Sequence, residues 1–139
     1  MSRRFLLDLN VVLDVLLDRR PHVTSAAALW SRVERGDVTG YLAAHGIATI
    51  HYLAQRARGK RFARQTAEDL LSVFKIAAVD EKTIRQALSL PLADFEDAVC
   101  AACAAASNCE AIITRDPAGF RGSPVPPIDA ATALAWLTA

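Results

Sequence analysis

Short apolar runs alternate with longer stretches of helical periodicity along the whole chain. Phe5-Leu6-Leu7 stops at Asp8 and predicts a first buried strand. Val11 to Leu17 follows as a short helix, and Pro21 stops it. Thr24 is placed as the cap of a second helix reaching about Arg35, with Ala27, Ala28, Trp30, Ser31 and Val33 around its inner face. Gly36-Asp37 ends it, and Val38 to Leu42 is a second strand. Ile47, Ile50, Leu53 and Ala54 mark one face of a helix over Ala48 to Arg58, Gly59 ends that helix, and Phe62 to Phe74 makes another. Lys75 to Val79 predicts a third strand, and Glu81 to Leu90 a helix closed by Pro91. Asp94 opens an alanine-rich helix to about Ser107, and Ala111-Ile112-Ile113 is a fourth strand. Val125 to Ile128 reads as a short fifth strand confined to an edge by its prolines, before a last helix over Ala130 to Leu137.

This alternation predicts an α/β fold: a single domain over residues 1–139, with three α/β/α layers around a central, mostly parallel sheet of four to five strands. The length and the 53% hydrophobic, 22% charged composition suit a chain with a real core and exclude a disordered one. A formal net charge of +1 gives no argument for nucleic acid by itself, so any such argument must come from where the charges lie. Cys100, Cys103 and Cys109 are an odd set within ten residues, which fits a reducing compartment better than a disulfide framework. Asp8 interrupts the N-terminal apolar run too early for a secretory signal, and no apolar stretch is long enough to span a membrane. A soluble, cytoplasmic protein is expected.

Four carboxylates, Asp8, Asp94, Asp97 and Asp116, fall where a predicted strand ends or a helix begins. In an open parallel sheet those positions share the edge at which such folds bind ligands. Helix capping accounts for each one separately: Asp8 or Asn10 before the first helix, Asp94 with Asp97 three residues on, Asp116 before Pro117. Together they make an acidic pocket, which needs a counter-charge, and an all-oxygen set favours a hard divalent cation. Asp94 and Asp97, at i and i+3, share a helix face, whereas Glu96 is expected to face solvent. Asp14, one turn beyond Asn10, is expected to face solvent as well.

The segments Leu6-Leu7-Asp8-Leu9-Asn10-Val11-Val12-Leu13-Asp14, Asp94-Phe95-Glu96-Asp97-Ala98 and Ile112-Ile113-Thr114-Arg115-Asp116 resemble the PIN domain in residue type and order. The resemblance covers essentially the whole chain and is similar to the single-domain prokaryotic members, many of them VapC-type ribonuclease toxins. It implies Asp8, Asp97 and Asp116 as the core acids, Asp94 adjoining, and Asn10 and Thr114 as polar neighbours. It also implies Mg²⁺ or Mn²⁺, an RNA substrate cut as by an endoribonuclease, a protein antitoxin and a homodimer. In one respect the chain departs from the pattern: Thr49 falls about where many members carry a Glu. A catalytically weakened domain that binds RNA or a protein without cutting is therefore the alternative.

Metal-bound carboxylates suit phosphodiester hydrolysis, because it needs an activated water and a stabilised leaving oxygen. Arg56, Arg58, Lys60, Arg61 and Arg64 place five positive charges in nine residues, a candidate phosphate-contacting patch or a solvated turn with partners such as Glu68. Arg115 is a further candidate for phosphate or for neutralising the pocket. The C-x₂-C spacing of Cys100 and Cys103 lies inside an alanine helix and reads as buried packing rather than a zinc site. His22 and His45 carry no clear signal. A dehalogenase-type phosphotransferase is disfavoured because Asn10 stands where an acid–base Asp is needed, and a receiver domain because no Lys follows Ile113.

Overall fold

The computed structural model describes residues 3–138. In chain order the elements are β1 (Arg3–Leu7), α1 (Leu9–Leu16), α2 (Val23–Glu34), β2 (Val38–Ala43), α3 (Ala44–Val73), β3 (Lys75–Ala77), α4 (Glu81–Leu88), α5 (Phe95–Ala106), β4 (Ala111–Ile113), a 3-10 turn (Pro117–Phe120), β5 (Pro127–Ile128) and α6 (Ala130–Thr138). The five strands lie in the order β3-β2-β1-β4-β5, and all four pairings are parallel. The central position of β1 explains why Phe5-Leu6-Leu7 is an unbroken apolar run: both faces of that strand are covered.

The alternation of side chains along β1 and β4 divides the core in two. Phe5, Leu7, Ala111 and Ile113 pack with Val12, Leu29 and Ala133 from α1, α2 and α6, while Leu6 and Ile112 pack with Ala87 from α4 and the small residues of α5. Ala98 through Ala104 of α5 are all buried, so this helix is enclosed on every side and lies against β1, β2 and β4. Its Ala and Cys side chains are what allow that close approach. The three-layer arrangement follows directly.

Several boundaries differ from the sequence expectation, each for a local reason. The buried residues of α2 are Ala26, Leu29 and Val33, so its inner face is set one position away from Ala27 and Ala28. His22, rather than Thr24, occupies the N-cap position. Trp30 still reaches the core by its edge, 5.1 Å from the ring centroid of Phe74. Helix α3 begins directly from β2, because nothing between Ala43 and Ile47 other than Gly46 disfavours helix. The break expected at Gly59 is present: its backbone, at φ 90° and ψ 174°, is not helical and divides α3 into two helices. β5 shrinks to two residues, yet its edge position holds: the amides of Ile112 and Thr114 donate to Pro126 and Ile128 carbonyls at 2.9 Å each.

Gly40 marks where β2 meets this packing most closely. A Cβ there would lie 2.8 Å from Phe74 Cδ1 and 3.0 Å from Val33 Cγ1. Gly40→Ala should therefore destabilise the fold by about 1–3 kcal/mol through overpacking, read as a lower urea midpoint with an unchanged m-value.

Candidate functional site

The carboxyl edge of the sheet is built by extending the β1–β4 ladder one residue past each strand. The Asp8 amide donates to the Ile113 carbonyl at 2.9 Å, which fixes Asp8 beside the end of β4. Thr114, buried to 1% exposure, then uses its hydroxyl twice. Its Oγ1 donates to Asp8 Oδ2 at 3.1 Å and accepts from the Asp116 amide at 3.1 Å. The hydroxyl thus places two acids from opposite ends of the sequence next to each other.

Helix α5 brings the third acid. Asp94 caps it, its Oδ1 accepting from the Asp97 amide at 3.0 Å, and this fixes Asp97 in the first turn. Gly119, in the 3-10 turn, closes the arrangement. A Cβ at that position would lie 2.9 Å from Asp116 Oδ2 and 3.3 Å from Asp97 Oδ2, so these two carboxylates converge on a space kept open by the missing side chain. The resulting cleft of about 260 Å³ is lined by Asp8, Asn10, Asp94, Glu96, Asp97 and Thr114 together with Asp116 and Phe120.

Capping explains Asp94 and fails for the core acids. Asp8 stands at the N-cap position of α1 without a directed side-chain cap bond, and Asp116 heads the 3-10 turn in the same way. Asp80 and Asp129 show what a capping aspartate looks like here. Each accepts an amide three residues on, from Thr83 and Thr132, and these bonds hold its carboxyl below the usual range. Asp8 and Asp97 move the opposite way. Burial pushes Asp8 up against the lowering effect of the Thr114 hydroxyl and the nearby amides of Leu9 and Asn10. Asp97 is pushed up to about 6, first by desolvation and then by the charges of Asp94, Asp8, Glu96 and Asp116. Desolvated, mutually repelling acids in a cleft mark a candidate functional site.

The donors are carboxylate, amide and hydroxyl oxygens, which suits Mg²⁺ or Mn²⁺ rather than zinc. Among the described residues no three His, Cys, Asp or Glu side chains are drawn tightly enough together to enclose an ion. The cleft is an open cradle. The thiols do not contribute: burial pushes Cys103 up to about 11 and Cys109 to about 12, and Cys100 higher still with help from Asp8. Cys100 Sγ is 3.9 Å from His45 Nε2, so this pair adjoins the acids without joining them.

Thr49 lies half-buried on α3 and does not line the cleft. Glu96 is exposed, as expected, yet it also lines the cleft and acts on Asp97, which the helical projection alone did not indicate. Asp14 corrects the sequence expectation outright: it is 1% exposed rather than solvent-facing. Arg115 Nε approaches its Oδ2 at 2.9 Å and Arg19 Nη1 its Oδ1 at 3.9 Å, without well-directed hydrogen bonds. The signal was present in the sequence, since Asp14 is the lone charge in the apolar run Val11 to Leu17. The α3 cations are exposed and none lines the cleft. Arg56 and Arg58 lie over the rings of Tyr52 and Phe62 at 5.8 and 5.1 Å, and Arg64 pairs with Glu68 at 3.3 Å.

The profile of the PIN domain matches residues 4–118. No curated protein matches the chain by sequence. Among solved structures, FitAcB from Neisseria gonorrhoeae is similar at 21% identity over 91% of this chain and 98% of that one, with a TM-score of 0.68. DNA-bound VapBC from Salmonella typhimurium is similar at 13% identity, 94% and 99% coverage and a TM-score of 0.70. A VapC toxin from Mycobacterium tuberculosis, described as cleaving the sarcin–ricin loop, is similar at 17% identity, 78% and 86% coverage and a TM-score of 0.63.

Two outcomes follow from the cleft's electrostatics. Folding raises the Asp97 pKa, so its contribution to stability is whole below about pH 4 and is lost as pH rises through about 6. In chelator, Asp97→Asn should therefore melt higher than the parent chain at pH 7.5, by about 1 kcal/mol after solvent screening, with the gap closing by pH 4. Gly119→Ala should displace the flexible carboxylates rather than the backbone. Calorimetry should show weakened Mn²⁺ binding with a melting temperature close to the parent's.

Proposed function

The chain belongs to the PIN domain family, whose profile spans residues 4–118, and on that premise we propose that it is a metal-dependent endoribonuclease, the toxin of a type II toxin–antitoxin pair. The observation that carries the reading is the convergence of Asp8, Asp97 and Asp116, with Asp97 pushed up to about 6 by desolvation and then by the acids around it. Asp8, Asp97 and Asp116 would hold Mg²⁺ or Mn²⁺, with Asp94 and Asn10 at the margin. The chemistry supplied when that cation is bound is activation of a water and stabilisation of charge on the leaving oxygen.

The protein's own groups do the positioning. Thr114 orients Asp8 and holds the Asp116 amide, and Asp94 fixes the first turn from which Asp97 projects. Phe120 closes one wall of the cleft. The exposed cations Arg56, Arg58, Lys60, Arg61 and Arg64 on α3 would attract the RNA backbone at longer range.

The likeness to VapBC and FitAcB supports an antitoxin as protein partner, and the sarcin–ricin loop cleavage described for the mycobacterial toxin supports RNA as substrate. A homodimer is part of the same reading: exposed Tyr52 and Leu71 on α3 and Leu88 on α4 offer apolar surface for a partner. No helix among the described residues is long and apolar enough to cross a membrane. A cytoplasmic location belongs to the toxin reading. Thr49 favours one second reading, a domain that binds RNA without cutting it, since no Glu from α3 lines the cleft.

Purified chain incubated with RNA and Mg²⁺ or Mn²⁺ should yield cleavage that chelator abolishes. Asp97→Asn should slow it by about 100-fold or more while still binding RNA. If metal adds no cleavage on any RNA and the variant behaves identically, the enzymatic reading is removed.

A further inference from the structure

A cleft lined by five carboxylates repels the polyanion it is proposed to cut, and the α3 cations do not line it. Two other cations lie beside it. Arg115 stands between Thr114 and Asp116, both of which line the cleft, while its own side chain lines a second cleft together with Asp14. Arg19 Nη1 lies 3.4 Å from Oδ1 of Asn10, also a lining residue. The two arginines meet opposite oxygens of one carboxylate, that of Asp14.

Asp14 is unusual in its burial. At 1% exposure its desolvation is costly, and a single guanidinium would offset its charge. It has two, and both side chains remain about one-third exposed, at 35% for Arg19 and 36% for Arg115. The trio therefore carries a surplus positive charge at the rim of a negative cleft. Arg115 engages Asp14 through Nε, which leaves its Nη edge for an anion. A planar guanidinium already drawn to a buried carboxylate loses less freedom when it binds phosphate than an unpaired one.

On the reading that the substrate is RNA, we propose that Arg19 and Arg115 form a two-pronged contact for a phosphate flanking the one in the acidic cleft, and that Asp14 is the positioning residue that holds them there. The second cleft, of about 260 Å³ and lined by Asp14, His22, Ser25, Arg115 and Asp129, opens on the other side of Thr114 and gives the strand space beside the contact. Asp129 is anionic and exposed there, so the phosphate is assigned to the arginine rim and not to the floor of that second cleft.

The test is binding of a short fluorescein-labelled single-stranded oligoribonucleotide, followed by anisotropy in chelator at several salt concentrations. Cleavage is thereby silent. Arg19→Gln and Arg115→Gln should each weaken binding roughly three- to tenfold and lower the slope of log K against log salt by about 0.7. Asp14→Asn gives opposite signs for the competing accounts. It adds a net positive charge, so charge counting alone predicts tighter binding, whereas loss of the positioning group predicts binding weakened about threefold or more. Should a single variant fail to fold, the paired Asp14→Asn/Arg115→Gln chain leaves no orphaned charge between those two and must still lose salt slope. Parent chain that binds no RNA overturns this contact, and parent chain that in addition cuts no RNA with Mg²⁺ or Mn²⁺ overturns the RNA reading with it. Parent chain that binds while the arginine variants keep the parent slope overturns the contact alone. Unchanged or tighter binding by folded Asp14→Asn overturns the positioning role.

Discussion

One hydroxyl joins the two halves of the site. Thr114 sits where β4 ends, buried beside the end of β1, and its Oγ1 holds Asp8 on one side and the Asp116 amide on the other. The neighbouring strands make this contact possible, since β1 and β4 are adjacent in the sheet although most of the chain separates them. The backbone ladder sets Asp8 beside the end of β4, and the hydroxyl adds the one side-chain bond between Thr114 and the Asp8 carboxylate. Asp97 reaches the same place only because α5 is made of residues small enough to lie close against the sheet. The packing of alanines and cysteines and the placement of acids are thus one constraint.

The carboxylates divide by environment into two chemical kinds. Asp80 and Asp129 are satisfied by amides three residues on, and their charge is stabilised. Asp8 and Asp97 are crowded, partly desolvated and destabilised as anions. Asp14 is a third case, fully buried but compensated by two arginines. Negative charge in excess at the cleft and positive charge in excess at its rim lie within a few residues of each other on α1 and after β4. A cation and a phosphate are complementary to those two places in turn.

Much of this was legible in the sequence. The strand sequence, the parallel sheet, the break at Gly59 and the order of the acids follow from apolar runs, a glycine and the spacing of aspartates. What escaped was whatever depends on contacts between distant elements. The buried face of α2 falls on Ala26 and Leu29 rather than on Ala27 and Ala28, and the run of alanines in this helix does not distinguish the two. Asp14 looked solvent-bound because its arginine partners stand five and about a hundred residues further on, and periodicity does not register them. Capping and catalysis share the same residue types at helix starts, so only geometry separates Asp94, which caps, from Asp8 and Asp116, which do not.

The central claim is that the acids at the carboxyl edge form the cradle for a divalent cation. Paramagnetic broadening by Mn²⁺ in NMR spectra of the isotope-labelled chain tests it most directly. The account predicts that substoichiometric Mn²⁺ broadens resonances around Asp8, Asp97, Thr114 and Asp116 first, and that Asp97→Asn removes the effect. Broadening centred on the exposed acids of α4, such as Glu81, or equal effects in parent and variant, would contradict it.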